Sequence, residues 1–108
     1  MTMYDHNQIE IPESFMALYL APGRLKPSAT REVVTGRYEL CEDLANHLHD
    51  YALAQHHDAG LPQDEVLERC HRGLLAGPSG VSEPEAGWIV RRLAELAQWA
   101  APGPTDAG

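Results

Sequence analysis

The run from Arg37 to Asp58 restricts the fold of this chain more than any other feature, because it contains neither Gly nor Pro. At 100° per residue, the apolar residues in and just before this run fall on one side of a helix. They are Val34, Cys41, Leu44, Ala45, Leu48, Tyr51 and Ala52. The opposite side carries Glu39, Asp43, Asn46, Asp50 and His57. The pattern predicts a long amphipathic helix with one face on a core and the other in water.

A short helix is predicted before this long one. Pro12 suits the first helical position, and Pro22 with Gly23 would end the apolar segment that follows it. This helix is too short to be stable alone, so it must dock on the rest of the chain. Ser28 is the predicted N-cap of the long helix, although Gly36 allows a break or kink near its start.

Two more helices are predicted after Gly60, which has the character of a C-terminal cap. The apolar stripe of the third helix consists of Val66, Leu67, Cys70 and Leu74. Gly73 lies on the same stripe, so we expect a neighbouring backbone to approach closely there. The fourth helix begins at a capping box formed by Ser82 and Glu85. Its core line is Ala86, Ile89, Val90, Leu93, Leu96, Ala97 and Ala100.

The fold predicted from these elements is all-α. It is a small antiparallel helical bundle of three longer helices plus a short N-terminal helix. A chain of 108 residues is one domain by length. We expect the bundle to span residues 12–100, with a flexible N-terminal arm at 1–11 and a disordered tail at 101–108.

The acidic composition restricts the partners. The formal net charge is -8 and only eight Lys and Arg are present. Because these cations supply contacts to phosphate, neither nucleic acid nor an anionic membrane is expected as a partner. No segment has the length and apolarity of a membrane span, and the N-terminus lacks the features of a signal peptide, so a cytoplasmic location is expected. Cys41 and Cys70 fall on apolar helix faces and are predicted to be buried, reduced thiols.

Two surfaces are candidates for binding a protein partner. Asp43 and Asp50 belong to an acidic face of the long helix, within a stretch from 39 to 68 that has eight acids and no Lys or Arg. Trp and Arg commonly anchor protein interfaces, and the fourth helix has both on one flank. The members of this flank are Trp88, Arg92 and Trp99. In the alternative interpretation the short first helix covers both indoles. A homodimer that uses Trp88 or Trp99 is a further alternative.

The long helix also carries a row of His and Asp side chains, which zinc accepts as ligands. The row is Asp43, His47, Asp50 and His57, and the predicted metal ligands are His47, Asp50 and His57. One straight helix cannot turn the whole row to one ion, so another helix or subunit would have to add ligands. Alternatively, these residues form an ordinary solvent-facing surface that needs no function.

The sequence gives no sign of catalysis. Cys70 and His71 place a thiol beside an imidazole, but adjacent helical residues point about 100° apart and do not form a dyad. The common nucleophile, metalloprotease and dinucleotide motifs are absent. We therefore predict no catalytic or cofactor-binding residue. The expected function is a non-catalytic helical protein-interaction or regulatory module, with a small zinc-binding protein as the alternative.

Four blocks of the chain have a distinctive pattern, namely residues 37–44, residues 56–58, residues 69–71 with Gly73 and Leu74, and residues 81–96 with Trp88. Through them the chain resembles a family of short uncharacterised proteobacterial proteins, some of which are automatically labelled "ATPase with chaperone activity". The likeness runs from about Ile11 to Ala100. It implies a chaperone-associated factor without its own ATPase site. A P-loop would need G-x-x-x-x-G-K-[ST], and the only Lys, Lys26, is followed by Pro27.

Overall fold

The computed structural model of the protein describes residues 10–20 and 28–99. The predicted tail at 101–108, most of the predicted arm at 1–11 and the predicted helix stop at Pro22 and Gly23 lie outside these residues.

The protein is all-α, with no strand among the described residues, so the predicted fold class is confirmed. Its helices are α1 (Glu13–Met16), α2 (Arg31–His57), α3 (Gln63–Ala76) and α4 (Glu83–Ala97). A 3₁₀ turn at Ala17–Tyr19 continues α1. Short connections join α2 to α3 and α3 to α4, as in an up-down bundle. Within the described ranges, no helix combines the length and apolar character needed to span a membrane.

The chain divides into two compact units, residues 1–39 and residues 40–108, and the boundary falls within α2. In the first unit Phe15 is fully buried. Its ring lies 5.5 Å from the ring of Tyr19 and 5.5 Å from the ring of Tyr38, the second contact being edge-on at 66°. Edge-to-face aromatic pairs of this kind stabilise beyond the area that they bury. Phe15 therefore holds the short N-terminal helix against the first turns of α2.

The start of α2 differs from the prediction. The N-cap is Thr30 and not Ser28, because Thr30 Oγ1 accepts a hydrogen bond from the Val33 amide at 3.2 Å. The Thr30 carbonyl accepts the first intrahelical bond, from the Val34 amide at 2.9 Å. The helix then continues through Gly36 without a break. Both Ser and Thr are good N-caps, and the sequence alone did not distinguish the two hydroxyls.

The ends of the later helices follow the predicted signals. Gly60 has a φ of +74°, the left-handed conformation that favours Gly after a helix. At α4, Ser82 and Glu85 form the full capping box: Ser82 Oγ accepts from the Glu85 amide at 3.2 Å, and Glu85 Oε1 accepts from the Ser82 amide at 2.9 Å. These caps fix where α2 ends and α4 begins.

The core of the second unit is formed by the apolar stripes of its three helices. Its buried residues are Cys41, Ala45, Ala52, Val66, Leu67, Cys70, Leu74, Ala86, Ile89, Val90, Leu93 and Ala94. Two predictions about these stripes were wrong. Tyr51, on the predicted core side of α2, is 46% exposed. Gly73 is exposed, and no heavy atom lies within 4 Å of the position that a Cβ would take, so no backbone approaches it closely.

Candidate functional site

A groove between α2 and α3 places Tyr51 at an apolar surface, and we call it the Tyr51 groove. Its volume is about 280 Å³ and its lining is mainly apolar. The lining residues are Leu48, Tyr51, Arg69, Cys70, Gly73, Leu74, Gly77, Pro78 and Ser79. The groove forms because α3 ends at Ala76 and the chain then changes direction. The residues that follow, Gly77, Pro78 and Ser79, close one end of the groove. The Ser79 hydroxyl donates to the Leu74 carbonyl at 2.8 Å, which holds this turn in place.

The predicted partner-binding acids Asp43 and Asp50 lie on α2 but do not line this groove. They are seven residues apart, so their side chains project within about 20° of each other. The side chain of Asp50 is fully exposed, and its Oδ1 lies 3.9 Å from His49 Nδ1. Asp43 is exposed as well, and within the described part of the chain neither carboxylate pairs with a Lys or Arg.

Some of the other acids of this region are paired with Arg side chains. Within the described ranges, Glu65 pairs with Arg69 at 3.0 Å and Glu68 pairs with Arg72 at 3.1 Å, each one helical turn away. Such surface pairs contribute little stability but cancel charge locally. On α2, Asp43 and Asp50 are thus acids without an Arg or Lys partner, as are the exposed Glu32 and Glu39 among the described residues.

Arg92, predicted as a partner-binding residue, instead joins α4 to α2. Its Nε and Nη2 donate to the Glu42 carboxylate at 2.9 Å each, and its Nη1 donates to Glu95 Oε1 at 3.2 Å. The hydrogen bonds from Arg92 hold the pKa of Glu42 below its usual range, although partial burial opposes this. The same bonds raise the pKa of Arg92. Arg92 is therefore engaged within the chain.

The two indoles are also engaged within the fold. Trp88 is only 5% exposed, so it does not present a ring to a partner. Trp99 is partly buried, and its ring lies edge-on to the ring of His56 at 5.2 Å. His56 Nδ1 in turn donates to the Leu61 carbonyl at 2.7 Å. Of the predicted interface flank, Trp88 is buried, whereas Arg92 and Trp99 are partly exposed and have contacts within the chain.

No family model, curated protein or solved structure matches this chain.

The predicted zinc ligands are not assembled into a site. His47 Nδ1 donates to the Asp43 carbonyl at 3.2 Å, and the ring of His57 packs against that of His56 at 4.9 Å. Within residues 10–20 and 28–99, no three His, Cys, Asp or Glu side chains are placed to hold one metal ion. The row of His47, Asp50 and His57 thus lies along one exposed face of α2 without converging.

Cys70 lines the Tyr51 groove, but its thiol has low reactivity. Neither cysteine is in a disulfide and both are buried, as predicted. Burial raises the pKa of the Cys70 thiol to about 11. The thiolate is the reactive form of Cys, so little of Cys70 is in its reactive form at neutral pH.

We expect Cys70 to react with a thiol reagent far more slowly in the folded chain than in denaturant. The raised pKa lowers the thiolate fraction near pH 8 by roughly a hundredfold, and burial slows access further. Because the folded pKa is raised, the thiol stabilises the fold fully below the unfolded pKa and loses this effect as the pH rises toward about 11. Timed labelling of the Cys41→Ala variant measures Cys70 alone. Fast labelling without denaturant would show that the thiol is open to solvent.

The sequence did not indicate the Tyr51 groove. It predicted the stripes of α2 and α3 separately, whereas the groove needs the angle between them and the path of the chain after Ala76. The one available signal was Pro78 beside Gly77, which indicated a turn but not what the turn would line.

Proposed function

We propose that this protein is a non-catalytic helical interaction module whose Tyr51 groove binds a basic, amphipathic segment of a partner protein. The observation that carries the proposal is the position of Tyr51. An aromatic side chain in register with the core of α2 is 46% exposed at the edge of an apolar groove. The fully exposed Asp50 precedes it in the sequence and projects about 100° away around the helix. Tyr is enriched at binding surfaces because it combines a large apolar ring with a polar hydroxyl.

Charge favours a basic partner. Asp43 and Asp50 have no Arg or Lys partner among the described residues, whereas Glu42, Glu65 and Glu68 do. Asp43 and Asp50 project about 80–100° from Tyr51 around α2, so a bound segment that extends past the ring would bring a Lys or Arg to these two carboxylates. Complementary charge of this kind speeds association and excludes acidic competitors.

The shape of the Tyr51 groove favours a segment that inserts a few apolar side chains into it. Leu48 and Leu74 line a space of about 280 Å³, close to the lower limit for small-ligand pockets but suited to a few apolar side chains. Recognition would then follow the helix-in-groove mode, with apolar residues at helical spacing inside and cations on the Asp side. The buried thiols, neither of them in a disulfide, agree with a cytosolic setting for this interaction.

A helical peptide library with equal numbers of basic and acidic members tests the proposal when it is selected on the full chain. We expect the selected peptides to be enriched in Lys or Arg and to carry apolar residues at helical spacing. Fluorescence anisotropy then measures the Kd of the best peptide. Tyr51→Ala and Asp50→Lys should each weaken binding by about tenfold or more, and Asp50→Lys should also reduce its dependence on salt.

Asp58→Lys provides the matched control, because it makes the same charge change at an exposed position just after α2. The Kd of this variant should stay within about twofold of the original, since a screened charge at a distance has little effect. Selected peptides without a basic bias, or equal binding to Asp50→Lys and the unchanged chain, would refute the proposed partner chemistry.

A further inference from the structure

A second groove lies between α3 and α4, on the side of α3 opposite Gly73. Its volume is about 290 Å³ and its lining is mainly apolar. The lining residues are Asp64, Leu67, Glu68, His71, Gly87, Val90 and Arg91. Leu67 and Val90 are almost fully buried and form its floor, while the charged residues stand at its rim.

An exposed leucine extends this surface along α3. Leu75 is 43% exposed and follows His71 by one helical turn, on the stripe that also contains Asp64 and Glu68. A single exposed leucine needs no explanation. Here, however, it continues an apolar groove, and the combined surface follows most of α3. We call this surface the α3–α4 face.

The rim of the α3–α4 face carries both signs of charge. Asp64 and Glu68 stand on α3, and Arg91 stands on α4. Glu68 is held only by the solvent-exposed pair with Arg72, and Arg91 forms no ion pair with any described residue. A purely basic or purely acidic partner would leave one sign opposed by a like charge. A surface with both signs complements a second copy of itself after a rotation of 180°.

Gly87 is a further indication of a close neighbour at this groove. It lies in the interior of α4, where Gly is among the residues least favourable to a helix. A Cβ at this position would meet only Arg91 Nη1, at the ordinary contact distance of 3.9 Å. Nothing in the described fold therefore requires Gly here, whereas a backbone or side chain packed against the groove from outside would.

We infer that the α3–α4 face is a homodimer interface, in which a second copy of this chain docks through the same face. In such an isologous pair, Arg91 of each copy faces the acids of the other, and each interaction occurs twice. The inference does not depend on the proposed function, because the Tyr51 groove lies on the other side of α3.

Sedimentation velocity and native mass spectrometry of the full chain test the inference by a charge exchange. The unchanged chain should dimerise with rising concentration. Arg91→Glu, and separately Asp64→Lys with Glu68→Arg, should each raise the dissociation constant of the dimer by about tenfold or more, because like charges then meet twice. An equimolar mixture of the two variants should form the mixed dimer, since one contact is then restored with reversed signs and the other keeps its original residues.

Two further variants separate an interface from a folding effect. Gly87→Ala should raise the midpoint of thermal unfolding of the monomer and weaken the dimer, opposite effects that a merely structural Gly would not give. Arg69→Glu reverses an Arg on the other side of α3 and should leave the dimer unchanged. The inference is overturned by a chain that stays monomeric at every concentration, by an Arg91→Glu variant that dimerises normally, or by absence of the mixed dimer.

Discussion

Replacing Phe15 with Ala is expected to lower the free energy of unfolding by about 3–5 kcal/mol. Phe15 is fully buried and makes ring contacts with Tyr19 and Tyr38, so truncation removes a large apolar group and leaves a cavity between two rings. Urea denaturation followed by circular dichroism measures the change. For a domain of this size, the midpoint of thermal unfolding should fall by more than about 10 °C.

Leu20→Ala is the control for Phe15→Ala. Leu20 lies in the same segment but is 37% exposed, so its truncation should cost less than about 1 kcal/mol. If Phe15→Ala were as mild as Leu20→Ala, the short N-terminal helix would not be a fixed part of the fold. Amide exchange across residues 13–19 gives an independent reading, since a docked helix exchanges slowly.

Replacing Arg92 with Ala should lower the free energy of unfolding by about 2 kcal/mol. The change breaks a two-pronged ion pair and leaves the Glu42 carboxylate, whose side chain is 23% exposed, without its cation. A double-mutant cycle with Glu42→Ala isolates the coupling between the two, which should be about 1–2 kcal/mol. The same cycle on the exposed pair Arg72 and Glu68 should give about 0.3–0.5 kcal/mol.

The effect of Arg92→Ala should also depend on pH in a defined direction. The folded pKa of Glu42 is lowered, so the pair stabilises the fold fully above the unfolded pKa. This stabilisation is lost as the pH falls through the folded pKa. The stability difference between the unchanged chain and Arg92→Ala should therefore stay constant above about pH 4.5, the ordinary pKa of Glu, and shrink as the pH falls below it. A difference that stays constant below that pH, or equal coupling in the two cycles, would contradict the assigned role of the pair.

Much of the helical content of this chain is encoded locally. The Gly- and Pro-free run after Arg37 became the long part of α2, and Ser82 with Glu85 fixed the start of α4, because both signals act within a few residues. The N-cap of α2 was predicted two residues too early. Ser28 and Thr30 both offer a hydroxyl that can cap a helix, and only the path of the chain selects Thr30.

The candidate site depends on contacts that no local pattern contains. Arg is a residue type that commonly anchors interfaces, which is why Arg92 was predicted to bind a partner. Its ion-pair partner Glu42 is 50 residues away, so the sequence could not show that Arg92 already pairs within the chain. Tyr51 illustrates the opposite case. Its helical angle indicated the core, yet the core beside it is filled by Ala52 and Cys70, and the ring lies at the groove edge. The helical angle predicts the direction in which a side chain points. Its burial also depends on which side chains of the neighbouring helix pack against it.

The contact between His56 and Trp99 also allows tryptophan fluorescence to report on one part of this fold. The chain has two indoles in different settings, Trp88 enclosed in the protein and Trp99 partly exposed against an imidazole. Indole emission responds to the polarity and to the groups around the ring, so the two should contribute separate components to the fluorescence. The Trp99 component then reports, without any label, when the end of α4 leaves the end of α2. Stopped-flow fluorescence can follow that local event in real time.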